Sequence, residues 1–191
     1  MAKTLRDRVL EAAVDHIAEH GPDGLSLRQI AADAGVSHQA PYHHFGDRNA
    51  VFTAIAIEGF QKFTAEMVAP PRKGEDGDSA VRLCERYVAF ALANTGHFRV
   101  MFRSDLCGMS DSEELQTVAD AAFQTLVDVV DSIVDGKGTV DDVRILATTV
   151  WSVAHGLASL LIDGPLEGKI GKIADRRALV RSVARRARAG F

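Results

Sequence analysis

The 191-residue chain predicts an all-α fold. Apolar residues recur at three- and four-residue spacing along most of its length, and no convincing strand-like alternation interrupts them. Ser, Thr and Asp residues that start helices and Gly or Pro residues that stop them punctuate the chain at ordinary helix lengths. A hydrophobic fraction of 47% supplies the core that such helices need.

Taken in order, the first helix is expected over 4–20. Thr4 caps it with Asp7 three residues on, and Gly21-Pro22-Asp23-Gly24 ends it. Ser26 and Gln29 have the spacing of a capping box, and Leu27, Ile30, Ala31 and Ala34 form one apolar face behind them. Gly35 stands where a helix ends with positive φ. Val36 packs back into the angle, and Ser37 caps a third helix over 38–44, with Pro41 near its first turn. Phe45 pins that helix and Gly46 breaks it. Asp47 caps a fourth helix, which runs to about residue 68 and stops at Pro70-Pro71.

The segment PPRKGEDGD reads as an exposed connection. Beyond it, a fifth helix begins at Asp78 or Ser79 and ends near Thr95-Gly96, and a short sixth covers 97–106. After a loop at 108–111, a seventh covers 112–134. A turn at Gly136-Lys137-Gly138 leads to an eighth helix, capped by Thr139 with Asp142 and running to about 163. Gly164-Pro165 and a loop to Gly171 precede a ninth over 173–188. Domains are expected at 1–52 and 53–191, the fourth helix joining them.

The run SLRQIAADAGVSHQAPYHHFGDRNAV, residues 26–51, carries the most information. A helix, a glycine turn and a second short helix form the unit that presents side chains to the major groove of double-stranded DNA. Tyr42, His43 and His44 are the candidate phosphate contacts. Ser37, His38 and Gln39 lie at the helix start, where side chains reach base edges, and Gln39 suits adenine. Arg28 and Arg48 are candidate phosphate clamps, and Lys3 and Arg6 are placed to join them on one face.

Charge distribution bears on this reading. Net charge is −4. Residues 1–60 hold five Lys/Arg and eight Asp/Glu, residues 61–168 nine and seventeen, and residues 169–191 eight and one. The DNA-reading segment is therefore acidic overall, and affinity has to come from local phosphate contacts. Arg177, Arg181, Arg185 and Arg188 follow one side of the ninth helix and read as a solvated cationic face.

Cys84 and Cys107 fit no metal spacing and suit a reduced, cytoplasmic protein. The start is charged and helical, without the apolar stretch of a signal peptide. Residues 145–162 reach the length of a membrane span, but Thr148, Thr149, Ser152, His155, Gly156 and Ser159 interrupt them. A helix buried on most sides in a soluble bundle or dimer is expected instead. No membrane partner, cofactor or metal is expected.

These residues resemble a known family. The segment from about Arg6 to Phe52 is similar to the N-terminal domain of tetracycline-repressor (TetR) type transcriptional regulators. Val9-Leu10, Ala12-Ala13, Ile17 and Gly21 match its first helix. Leu25 to Ala31 and Ala34-Gly35-Val36-Ser37 match the second helix and turn, and Tyr42 to Arg48 match the recognition helix and its exit. The resemblance implies phosphate contacts most clearly for Tyr42 and His44, and a basic one for Arg48. Trp151, His155 and Gly156 resemble the Trp/His/Gly (WHG) motif of one C-terminal subgroup. The resemblance further implies a homodimer whose C-terminal bundle binds a small apolar effector that releases the protein from a near-palindromic operator. Candidate lining residues are Phe98, Met101, Phe102, Phe123, Trp151 and His155. For Trp151 and His155, a core tryptophan and a satisfied core histidine are the alternative.

Enzyme motifs fail. GPLEGKIGK has one residue too few between its glycines for a phosphate loop, and Ile170 replaces the required Ser/Thr. His16 and His20 have metal spacing without a third ligand. No nucleophile–base set has supporting context. Two further classes stay open at this point: a helical small-molecule-binding or enzymatic protein with a vestigial helix-turn-helix, favoured by the acidic N-terminal segment, and an interaction module working through the basic ninth helix.

Overall fold

The computed structural model of the protein describes residues 3–134 and 138–189. Among them every regular element is helical: α1 (Leu5–His20), α2 (Leu27–Asp33), α3 (Ala40–Phe45), α4 (Arg48–Val68), α5 (Ser79–Ala93), α6 (Thr95–Met101), α7 (Ser104–Cys107), a single 3-10 turn (Met109–Asp111), α8 (Glu113–Val134), α9 (Val140–Ile162), α10 (Pro165–Ile170) and α11 (Arg176–Arg188). Gly136-Lys137, read as a turn, lies outside the described residues. The chain packs into two compact units, each built from two segments. One comprises 1–62 and 94–120, the other 63–93 and 121–191.

The helix boundaries follow local chemistry. Thr4 and Asp7 close a reciprocal capping box on α1, and Thr139 and Asp142 do the same on α9. At α2 only half of a box forms. Ser26 accepts from Gln29 N, while the Gln29 side chain turns forward to Asp33 at 2.8 Å. Three expected boundaries change. The sixth predicted helix is two helices, because Phe102 and Arg103 leave the helical region, and its start moves back to Thr95 behind the non-helical Asn94. The stretch after Gly164 is a helix, α10. Pro165 suits a first turn, with Glu167 near the N-terminus and Lys169 near the C-terminus. The last helix starts at Arg176, because Asp175 caps it by accepting from Ala178 N.

In the first unit, α1, α2 and α3 pack together over Val9, Ala13, Ile17, Ile30 and Ala31, all fully buried. The opening residues of α4 add Val51, Phe52 and Ile55 to this core. Helix α6 lies against α1, and Gly96 is the contact. A Cβ at Gly96 would stand 2.2 Å from the Val14 carbonyl oxygen. Beside it, Arg99 donates to the carbonyls of Ile17 and Ala18, at 3.0 Å each, and so caps the C-terminus of α1.

In the second unit, α5 packs against both α9 and α11. Its buried face includes adjacent opposite charges, Glu85 and Arg86, exposed by only 7% and 4%. Arg86 donates to the carbonyls of Glu66, Ala69 and Pro70 at the end of α4 and just beyond it, and to both carboxylate oxygens of Glu75. Glu85 receives Arg181 of α11 at 2.7 and 3.2 Å. Arg185 donates to Asp76, Arg188 lies 3.4 Å from Asp78, and Arg177 donates to the Gly74 carbonyl. The expected solvated cationic face of the last helix is thus corrected: it is tied to the 74–78 segment and to α5.

Helix α9 is long and apolar enough to cross a membrane by length and composition, which for one such helix is weak evidence. Only a third of that stretch is buried, less than the sequence reading expected, and Ile145 is 66% exposed.

Two predictions follow from this packing. Gly96→Ala forces α1 and α6 apart and should lower stability by about 2–3 kcal/mol in denaturant titration. Arg86→Met leaves the Glu75 carboxylate buried without its cation and should cost about 3–5 kcal/mol, much of it recovered by Arg86→Met/Glu75→Leu. In the wild type the Arg86 guanidinium holds Glu75 down to about 2 from an ordinary 4.5. Its contribution is therefore complete above 4.5 and disappears as pH falls toward 2.

Candidate functional site

The turn between α2 and α3 is built by Gly35. Its φ of +62° is one that L side chains rarely adopt, and it lets Val36 N reach back to Ala31 O at 3.0 Å. Arg8 of α1 donates to the Ala34 carbonyl at 2.6 Å and holds the α2 end of the turn. Sequence reasoning missed this residue, because nothing local marks a partner 26 positions away.

Helix α3 begins at Ala40, two residues later than expected, and Ser37 is not its cap. Gln39 occupies that position without a side-chain capping bond. Pro41 is the cause. A helix from His38 would need a Pro41 N–H to bond the Ser37 carbonyl, and proline has none. Starting at Ala40 puts Pro41 in the first turn, where no donor is required. Ser37, His38 and Gln39 remain exposed in the preceding turn.

The short helix is sharply two-sided. Ala40 and Pro41 are buried against the unit, Phe45 is half-buried under the Arg6 guanidinium 5.0 Å from its ring centroid, and Tyr42, His43 and His44 are exposed. Tyr42 is 54% exposed, a large aromatic side chain held out in solvent on a helix of six residues. Arg28 on α2 is exposed as well.

Arg48 is placed differently from the expectation. Its guanidinium donates to the Pro22 carbonyl at 2.8 Å and lies 4.9 Å from the Phe52 ring centroid. It braces the α1–α2 connection to α4. Lys3, just ahead of the Thr4 cap, likewise pairs with Glu11 of α1. Of the four cations expected on one face, Arg28 alone has no such tie among the described residues.

The candidate ligand residues fall in both units. Phe98 and Met101 are buried in the first, and Phe102 stacks edge-on against Phe60 and Phe98 there. Phe123, Trp151 and His155 lie in the second, where Phe123 and Trp151 have ring centroids 5.8 Å apart. Tyr87 of α5 joins the last two. Its hydroxyl accepts from Trp151 Nε1 at 3.3 Å and stands 2.8 Å from His155 Nδ1. Burial pushes the His155 imidazolium down and the Tyr87 phenol up, so both are neutral near pH 7. Tyr87 was not singled out in the sequence. The one available signal was that a buried tyrosine hydroxyl needs a partner.

Burial also pushes the Cys84 thiol up to about 11 and raises that of Cys107, which makes both poor thiolates near neutrality. Among the described residues no group of three or more His, Cys, Asp or Glu side chains is arranged to hold a metal ion.

Comparison with known proteins agrees with this geometry. Residues 9–55 match the model of bacterial regulatory proteins of the tetR family, and residues 80–187 match the tetracyclin repressor-like C-terminal domain. The chain belongs to the TetR family. The TetR-family match extends to individual proteins. Over 64 residues the chain is 39% identical to the HTH-type transcriptional repressor AcnR of Corynebacterium glutamicum, covering 34% of each chain. Over 58 residues it is 34% identical to the class D tetracycline repressor protein of Escherichia coli, covering 30% of this chain and 27% of that one. The chain thus spans about a third of the length of the curated relatives it matches. A solved structure of a Rhodococcus protein of unknown function matches all of this chain and 96% of its own, with 29% identity and a TM-score of 0.75.

Tyr87→Phe should cost about 1–2 kcal/mol in chemical denaturation, since it removes the hydroxyl that bonds both Trp151 Nε1 and His155 Nδ1 while keeping the ring. A change within error in both stability and His155 titration by NMR is the contrary result.

Proposed function

We propose that this TetR-family protein is a sequence-specific DNA-binding transcriptional repressor, cytoplasmic, acting as a homodimer on a near-palindromic operator. The observation that carries this reading is the two-sided α3: buried Ala40 and Pro41 below, exposed Tyr42, His43 and His44 above. The TetR-family match over residues 9–55 supports it. Residues 1–52 are assigned to DNA reading and residues 53–191 to effector binding and dimerisation.

Tyr42, His43, His44 and Arg28 supply phosphate contacts in this reading, and Ser37, His38 and Gln39 approach base edges from the turn before α3. Arg48 acts indirectly, by holding the connection that positions the module. In a dimer, two such modules reach half-sites about 34 Å apart. The exposed Ile145 and Leu160 of α9 and the part-exposed Phe123 of α8 favour that half of the chain as the dimer face.

Effector release is assigned to the second unit. Phe123, Trp151, Tyr87 and His155 offer aromatic area with a polar anchor, which suits a small, mostly apolar ligand. The Trp151–His155–Gly156 motif favours the narrower WHG-type assignment. Phe98, Met101 and Phe102 are assigned to packing within the first unit. An effector acts here only by binding better to the form that does not fit DNA.

The test is selection of bound fragments from a genomic DNA library. Wild type should recover one inverted repeat, and Tyr42→Ala/His44→Ala should bind it at least about tenfold more weakly while keeping its helical content. Recovery of the same unrelated DNA by both proteins overturns the reading.

A further inference from the structure

The second unit holds a cleft of about 420 Å³ bounded by the 72–75 segment, the adjacent face of α5 and the start of α11. That volume falls within the range of small-ligand sites. One side of it is apolar, formed by Val88, Ala89, Leu92 and Val180, and the rest of its lining is charged. Three glutamates border it, and each is already matched by an arginine: Glu66 with Arg72, Glu75 with Arg86 and Glu85 with Arg181.

Three cations at the mouth lack a closely held carboxylate. Lys73 is exposed and has no ion-pair partner among the described residues. Arg176 is 54% exposed, with Glu167 no nearer than 3.5 Å. Arg177 is 59% exposed and donates one bond, to the Gly74 carbonyl at 2.8 Å, while its nearest carboxylate, Glu85 at 3.9 Å, is held more closely by Arg181. Arg176 and Arg177 are also the first two residues of α11, at the positive end of the helix dipole, where cations are disfavoured. Three cations without a closely held carboxylate thus gather next to apolar surface.

We propose that this cleft is a binding site for an amphipathic organic anion, with a carboxylate or phosphate head between Lys73, Arg176 and Arg177 and a short apolar tail on Val88, Ala89, Leu92 and Val180. Arginine forks bind either head group in bidentate fashion. The site shares no residue with the Phe123–Trp151–His155 cluster and does not depend on the DNA-binding reading.

The test uses the full chain, with octanoate and octyl phosphate as probes in calorimetry and thermal unfolding, and octanol and inorganic phosphate as controls. At least one amphiphile should bind and raise the unfolding midpoint. Lys73→Gln/Arg176→Gln/Arg177→Gln should lose at least about tenfold in affinity. Without ligand that variant should keep the wild-type helical content, since the Arg177 bond to the Gly74 carbonyl and the long Arg176–Glu167 pair that it loses are exposed. Amide shifts in the wild type should concentrate at Ala89, Leu92 and Val180, a readout that stands even if the variant folds poorly. Binding by octanoate alone or octyl phosphate alone identifies the head group and upholds the site. Four results overturn it: neither amphiphile binds; octanol binds equally well; inorganic phosphate binds as tightly as octyl phosphate; or the amide shifts fall elsewhere.

Discussion

Arg86 makes the second unit possible. A helix leaves its last carbonyls without intrahelical donors, and α4 ends against protein as well as water. One guanidinium meets this need by donating to Glu66, Ala69 and Pro70, so the chain turns sharply after α4. A lone buried cation is costly, and Glu75 on the far side of that turn compensates with both oxygens. The turn in turn carries Gly74, Asp76 and Asp78 to where α11 presents its arginines. The neighbouring residue, Glu85, faces that helix too. A single pair of adjacent opposite charges on α5 thus orders both the end of α4 and the last helix.

This explains the uneven charge along the chain. The acidic middle and the basic end look like separate solvent-facing blocks when read linearly. In the fold they lie against each other, and several of the cations of α11 are consumed. The exceptions are Arg186, which is exposed, and the first turn, where Arg176 and Arg177 outnumber the available carboxylates. A surplus that remains after pairing says more about ligands than a total does, because paired charges present little field to a third group.

The first unit applies the same rule with fewer charges. Arg8, Arg48 and Arg99 all donate to backbone carbonyls at helix ends or connections. Three short elements in a small unit have many unpaired carbonyls, and a long planar cation reaches them at modest cost. That leaves the exposed aromatic and imidazole side chains of α3 as the chemistry facing outward.

The sequence by itself determined the all-α class, the caps at Thr4, Ser26, Asp47 and Thr139, the positive-φ turn at Gly35 and the two-sided helix that follows. Each is set by interactions within a few residues, which side-chain type and spacing encode directly. The start of α3 was also local, since Pro41 lacks a donor, but it competed with an attractive cap at Ser37 and was misplaced by two residues. Tertiary structure alone decided where long side chains go. Arg48 reached the Pro22 carbonyl, Arg181 turned from solvent to Glu85, and Tyr87 tied Trp151 to His155 across 64 and 68 positions. A flexible cation or a buried hydroxyl takes whichever partner the fold brings within 3 Å, and that choice exists only once distant helices have packed.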